Sequence, residues 1–242
     1  MAAVALGDLR ALVFDVFGTL VDWRGSIARE AREALAPRGV SVDWLAFADA
    51  WRAQYQPAME DVRSGKIPFS KLDVLHRRNL EVVLEEFGIG GFDEAARVHL
   101  NLAWHRLDAW PDVAPGLVRL RERFRIAPCS NGNVSLMVDL ARRNGLPWDA
   151  ILGAEFARDY KPKAVVYQSA ASAFDCEPGE VLMVAAHSND LAAAAAAGLR
   201  TAHIARPDEK GPGRGEHGPS VVDVAARDLL DLADKLGARA AG

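Results

Sequence analysis

Cysteine is scarce in this 242-residue chain, with Cys129 and Cys176 the only two. Two thiols make no disulfide framework, and in reduced form they suit a cytoplasmic protein. Strong charge is also missing. A formal net charge of -4 gives no electrostatic reason to expect nucleic acid or an anionic membrane as a partner. No apolar run approaches the roughly 20 residues that span a bilayer. The opening stretch MAAVALGDLR is mildly apolar, lacks a basic leader and runs straight into a core strand. No signal peptide is read, and a cytoplasmic location is expected. What remains is an ordinary globular composition, half hydrophobic and about a quarter charged, in a chain long enough for one large domain or a domain with an insertion.

The texture changes twice along the chain. Residues 11–16 read as a short, fully buried strand. From Trp23 to Asp108 no convincing strand is seen. Leu72, Leu75, Leu80, Val83, Leu84 and Phe87 recur at helical spacing and Gly88 stops the run. Ser70 with Asp73 three residues on resembles a capping box. Residues 42–63 are also helical in pattern, with Pro57 expected to kink or divide them; 24–35 and 92–107 give two more helices. From Pro111 onward short apolar strands (126–130, 151–154, 181–185, 201–204) alternate with helices near 115–123, 134–144, 164–174 and 190–197, a rhythm that implies a parallel sheet covered on both faces. The alanine run 192–197 is expected to be a close-packed helix ended by Gly198. Residues 206–219, rich in Gly, Pro and charge, read as a loop and a candidate for mobility. The expected fold is α/β: a doubly wound, Rossmann-like parallel-sheet core (1–22 and 109–242) with an inserted α-helical cap (23–108).

In open parallel sheets, ligands bind beyond the carboxyl ends of the strands. Asp15 ends the first strand, with Gly18 and Thr19 just after. Ser130, Asn131 and Gly132 end the second, Lys161 follows the third, and His187, Ser188, Asn189 and Asp190 follow the fourth. Each has a structural reading by itself: turn cap, helix cap, solvated lysine, acid at a helix N-terminus. Their coincidence at one sheet edge favours a site.

The order DVFGTL, SNG, Lys161-Pro162 and a final Asp190 resembles the haloacid dehalogenase superfamily over nearly the whole chain. The resemblance implies that Asp15 is a nucleophile. Most members are magnesium-dependent phosphatases with a DxD motif, whose second acid serves the leaving group. Here that position is Phe17, which transfers no proton. Of the acidic pair such phosphatases carry near the fourth strand, one position falls on Ala186 and only Asp190 remains, which under-furnishes an octahedral magnesium site.

The metal-free L-2-haloacid dehalogenases resemble the chain more closely. They share an aromatic at Phe17, an arginine after an aromatic (Trp51-Arg52, with Tyr55 nearby) and a tyrosine six residues beyond the lysine (Tyr167). His187 departs from their usual pattern and resembles a subgroup that includes carbon–fluorine cleaving enzymes. The implied roles follow. Asp15 attacks the halogen-bearing carbon, and Lys161 offsets the charge of nucleophile and substrate. Thr19 fixes the Asp15 rotamer, and Ser130 with backbone N–H groups near Phe17 and Gly18 holds the substrate carboxylate. Arg52 and Asn131 receive the halide, while Asp190 orients Lys161 and the hydrolytic water. His187 is either an extra halide donor or a means of freeing space. No cofactor or metal is expected. The expected partner is a small haloacid, and the oligomeric state stays open, a homodimer being common among such relatives. A phosphatase of the same superfamily and a catalytically inert scaffold are the rival readings.

Overall fold

The computed structural model describes residues 6–216, 218 and 221–238. The first five residues of the apolar N-terminal stretch, and His217 and Pro219 of the Gly/Pro-rich loop, lie outside the described residues. Nineteen helices and strands are named here in chain order. The first are β1 (Ala11–Phe14), β2 (Val21–Asp22) and α1 (Trp23–Leu35), then α2 (Trp44–Ala53), α3 (Tyr55–Arg63), α4 (Leu72–Glu86), α5 (Glu94–Asn101) and β3 (Asp108–Ala109). Next come α6 (Val113–Arg121), β4 (Arg125–Ser130), α7 (Val134–Asn144), β5 (Leu152–Gly153), α8 (Ala154–Ala157) and α9 (Ala164–Ala173). The chain closes with β6 (Val181–Ala185), α10 (Ser188–Ala196), β7 (Arg200–Ile204), β8 (Val224–Ala226) and α11 (Leu229–Lys235).

One parallel sheet of six strands, ordered β5-β4-β1-β6-β7-β8, carries the fold. β1 lies at its centre, and all four of its residues are buried. Successive side chains of a strand point to opposite faces. Leu12, Phe14, Ile126, Leu182 and Val184 therefore share one face with α6, α7 and α11. Ala11, Val13, Ala127, Met183 and Ala185 share the other with α9 and α10. The helical segment α1–α5 joins the first of these layers through Phe17, Leu20, Trp51, Tyr55 and Trp104, all in one continuous apolar cluster.

Four expectations need correction. The sequence pattern shows no strand up to Asp108, yet Val21–Asp22 and Asp108–Ala109 pair as a two-residue antiparallel ribbon where the helical segment leaves and rejoins the sheet. Two residues are too few to display a period. The capping box at Ser70 does not form. The N-cap of α4 is Lys71, Ser70 Oγ donates to the Pro68 carbonyl, and the Asp73 amide donates instead to Asn133 Oδ1, from beyond the sheet, at 3.2 Å. The alanine run is close-packed only on one stripe, with Ala194 and Ala197 buried and Ala192, Ala195 and Ala196 exposed. The loop after β7 is anchored: Arg206 donates to the Thr19 carbonyl at 2.7 Å and holds Asp112 with two bonds of 2.8 Å. Elsewhere α2 and α3 divide at Gln54, putting Pro57 in the first turn of α3, where its missing N–H costs nothing. β8 and α11 carry too weak a pattern to be read. No helix among the described residues is long and apolar enough to cross a membrane.

Candidate active site

The Asp15 amide donates to the Val184 carbonyl at 2.9 Å, so the residue continues the ladder one step beyond β1 before the chain turns. The residue is 9% exposed. Thr19 Oγ1 accepts the Ala186 amide at 2.9 Å, which leaves its single proton for Asp15 Oδ2 at 2.7 Å. Lys161 Nζ lies 3.0 Å from Asp15 Oδ1 and 2.6 Å from Asp190 Oδ2. Asn131 Oδ1 accepts the Lys161 backbone N–H at 2.9 Å, tying the second strand end to the third. The Tyr167 hydroxyl donates to Asp190 Oδ1 at 2.6 Å. Asp190 sits in the first turn of α10, where the helix dipole also favours an acid.

Burial by itself raises the Asp15 carboxyl, but Lys161, His187 and Thr19 outweigh it and hold Asp15 well below the usual carboxylate range. Burial dominates at Asp190, whose carboxyl is raised even beside Lys161. Lys161 is itself opposed by burial, and its two carboxylates push it well above the ordinary lysine value. At neutral pH the pair Asp15–Lys161 is therefore ionised, and Asp190 is the more basic of the two carboxylates.

The facing wall is aromatic. Arg52, in the last turn of α2, lies 3.9 Å over the Tyr55 ring and 5.4 and 5.8 Å from the Trp23 and Phe17 rings. Its Nη1 is buried with no hydrogen-bond partner. Phe17 meets Trp104, Tyr55 and His76 edge-on at 5.8, 6.2 and 6.5 Å. His76 stacks on Trp104 at 4.2 Å, and burial pushes its imidazole down to about 3, so the ring is neutral.

A cavity of about 810 Å³ separates the two walls and is lined by Asp15, Phe17, Arg52, Asn131, Lys161, Tyr167, His187 and Asp190, among others. Of the side chains given a role from the sequence, Thr19 and Ser130 are not part of this lining. Thr19 stands behind Asp15. Ser130 is fully buried, its Oγ accepting the Gly132 amide at 3.1 Å. Sequence reading missed Glu209, which reaches into the cavity from the anchored loop, accepts the Trp23 indole N–H at 3.1 Å and faces His187. Its neighbours Pro, Asp, Lys and Gly carry no periodicity, so nothing marked it. The available hint was Gly18, with φ +86° and no room for a Cβ, which would fall 2.2 Å from Glu209 Oε1.

A strand-end aspartate, a threonine four residues on, a lysine from a third strand end and an aspartate from a fourth together define one class of α/β hydrolase. The chain belongs to the haloacid dehalogenase-like hydrolase family, whose sequence model matches residues 9–198. Within that family it is similar to (S)-2-haloacid dehalogenase 1 of Pseudomonas sp. (strain CBS-3), 30% identical over 204 residues that cover 83% of this chain and 86% of that protein. Among solved structures, a defluorinating L-2-haloacid dehalogenase is 45% identical with a TM-score of 0.92, covering 95% of this chain and 96% of that one. A second L-2-haloacid dehalogenase is also 45% identical, with a TM-score of 0.90 over 96% of this chain and all of that one.

Proposed function

We propose that the protein hydrolyses short 2-haloalkanoic acids, fluoroacetate included, to 2-hydroxy acids through an ester on Asp15 and without a metal ion. The observation that carries this reading is the buried Asp15–Lys161–Asp190 contact set against Phe17. The nucleophile is ionised and oriented, while the position where a leaving-group acid would stand is apolar. Halide leaves as a stable anion and needs no proton. An ester oxygen of a phosphomonoester does need one.

Asp15 displaces the halide from the 2-carbon, forming a carbon–oxygen bond as the halide departs with the bonding pair. Two like charges 4 Å apart repel by about 4 kcal/mol at an effective dielectric of 20, and Lys161 offsets that repulsion as the anionic substrate approaches. Arg52 and Asn131 line the same cavity and supply donors for the halide; one donor aimed at developing charge contributes about 3–4 kcal/mol. Water then adds to the Asp15 carbonyl carbon, Asp190 taking its proton, and the ester opens to the hydroxy acid. The ammonium of Lys161 lies within 3.0 Å of Asp15 and 2.6 Å of Asp190, and Phe17 and Ala186 offer no side-chain oxygen that would help to hold magnesium. Among the described residues, no group of three His, Cys, Asp or Glu is arranged to hold a metal ion. The likeness to a defluorinating enzyme at 45% identity supports fluoroacetate as a substrate.

The test is a halide-release panel in excess EDTA, with fluoro-, chloro- and bromoacetate and both 2-chloropropionate enantiomers. Release from at least one substrate is expected, and Asp15→Asn should lower it about 10⁴-fold or more. Undiminished release by Asp15→Asn removes the nucleophile assignment. No release without magnesium, together with magnesium-dependent turnover of p-nitrophenyl phosphate, replaces the reading with the phosphatase.

A further inference from the structure

His187 stands between two carboxylates. Its Nδ1 lies 3.1 Å from Asp15 Oδ2, and its Nε2 lies 3.1 Å from each oxygen of Glu209. Ionised carboxylates only accept hydrogen bonds, so both ring nitrogens must donate and the ring is an imidazolium. Glu209 is fixed to meet it. It is 2% exposed, holds the Trp23 indole, packs on the bare backbone of Gly18, and rides on a loop pinned by Arg206. The other charged or titratable groups around His187 are Lys161 and Asp190 across Asp15, Lys210 beside Glu209, Glu216, which accepts the Ser188 amide at 2.8 Å, and His203 on β7. Among the described residues, Asp15 and Glu209 are the groups within hydrogen-bond distance of the ring nitrogens. Burial opposes its charge, but these two carboxylates push it up to about 10.

The two Asp15 oxygens are thereby made unequal. Oδ2 receives Thr19 and His187, whereas Oδ1 receives, among the described residues, Lys161 alone. We propose that Glu209 is a positioning residue that keeps His187 charged against Asp15 Oδ2, so that Oδ1 attacks the substrate and Oδ2 becomes the ester carbonyl oxygen stabilised by His187. The inference rests on the haloacid hydrolysis proposed above. When water adds to the carbonyl carbon, one proton passes to Asp190 and the carbonyl electron pair moves onto Oδ2, where Thr19 and His187 already donate. Collapse reforms that carbonyl and breaks the bond to Oδ1. The departing alkoxide takes the proton from Asp190, and Asp15 returns its own to solvent. A charged donor forms a bond about twice as strong as a neutral one, so the gain falls on ester opening.

Glu209→Gln keeps the shape of the side chain and removes its charge. Chloride release and hydroxy-acid formation from 2-chloropropionate are followed separately in single turnovers between pH 6 and 10. Chloride release should stay within about threefold of the parent, while ester opening should slow about tenfold at pH 9 and less at pH 6, as His187 loses its proton nearer the ordinary imidazole range. His187→Asn should abolish this pH dependence, and the double variant should lose no more than His187→Asn alone. Parallel pH profiles for Glu209→Gln and the parent, slowing confined to chloride release, or multiplying losses in the double variant would each overturn the assignment. An NMR titration of the parent's imidazoles, with His187 identified by its absence in His187→Asn, tests the same point without turnover. The ring should stay cationic through pH 9, and titration near 6.5 overturns the proposal. A parent inert on every haloacid removes the proposed reaction, while that titration still decides the state of His187.

Discussion

On the sheet side of the cavity, Asp15, Lys161, Asp190, His187 and Glu209 are each bonded to at least one neighbour of opposite charge. On the helical side, Arg52 Nη1, both His76 ring nitrogens, Trp104 Nε1 and Asn79 Nδ2 are buried without a hydrogen-bond partner among the described residues. Leaving a buried charge unpaired is the more costly error, so the charges of the sheet side interlock. The helical side instead surrounds one guanidinium with aromatic faces, where an arriving anion meets donors with little competition from water. One wall is preorganised around the nucleophile, the other around whatever anion the reaction creates.

The largest expected effect comes from breaking the interlocked wall. Lys161→Met leaves Asp15 and Asp190 buried with no cation between them. Stability should fall by about 3–5 kcal/mol, the usual result of removing one partner from a buried ion pair. Protonating one carboxylate relieves the repulsion, so the gap to the parent should narrow as pH is lowered. Guanidinium unfolding at pH 5 and pH 8 measures both. A variant as stable as the parent at pH 8 would mean that the sheet side is not interlocked at all.

The contrast also explains what could be read in advance. Asp15, Asn131, Lys161 and Asp190 stand at strand ends, and the parallel-sheet rule brings strand ends together before any contact is known. Phe17 was informative because an aromatic at that place removes proton transfer. Glu209 escaped because its position depends on Arg206 folding a loop onto Thr19 and Asp112, and nothing in the local residues encodes that reach. The Ser70 capping box failed for a related reason. Its competitor, Asn133, lies 60 residues from Asp73 and is brought there by tertiary packing. Strand β1 was legible because four consecutive buried residues need no partner to be recognised, whereas the two-residue ribbon β2–β3 exists only through its pairing.

A smaller effect sharpens the description of the helical wall. Arg52→Lys keeps the charge but loses the plane that stacks on Tyr55 and the fork that presents several donors. Halide expulsion should slow about 100-fold, while unfolding free energy changes by about 1 kcal/mol or less. Rapid-quench halide release and a denaturant titration separate the two. Equal rates for Arg52→Lys and the parent would show that charge alone, not the aromatic setting, is what the helical wall contributes.

The smallest effect concerns how the two walls are held together. His105 is buried, with Nδ1 2.8 Å from Asp139 Oδ2 on α7 and Nε2 3.1 Å from Asp73 Oδ1 on α4. Asn133 Nδ2 donates to the other Asp73 oxygen at 2.8 Å, so one small polar network joins the helical segment to a helix of the sheet. Burial works against the charged ring, but Asp73 and Asp139 raise His105 above its ordinary value. A group raised on folding contributes stability that is fully present below its unfolded pKa of about 6.5 and is lost as pH rises through its folded value. Asp73 is held below its ordinary value against burial, chiefly by His105. Its contribution has the opposite sense: it is present above the usual aspartate range and fades only in acid. Between pH 6 and 9 the His105 contribution therefore declines while that of Asp73 stays constant. His105→Gln should be less stable than the parent at pH 6, and the difference should shrink toward pH 9. His187 contributes in the same sense and remains in the variant, so the parent's decline with pH is reduced and not abolished. Urea unfolding at pH 6, 7.5 and 9 provides the measurement; a constant difference between the two proteins would remove His105 from the linkage between the walls.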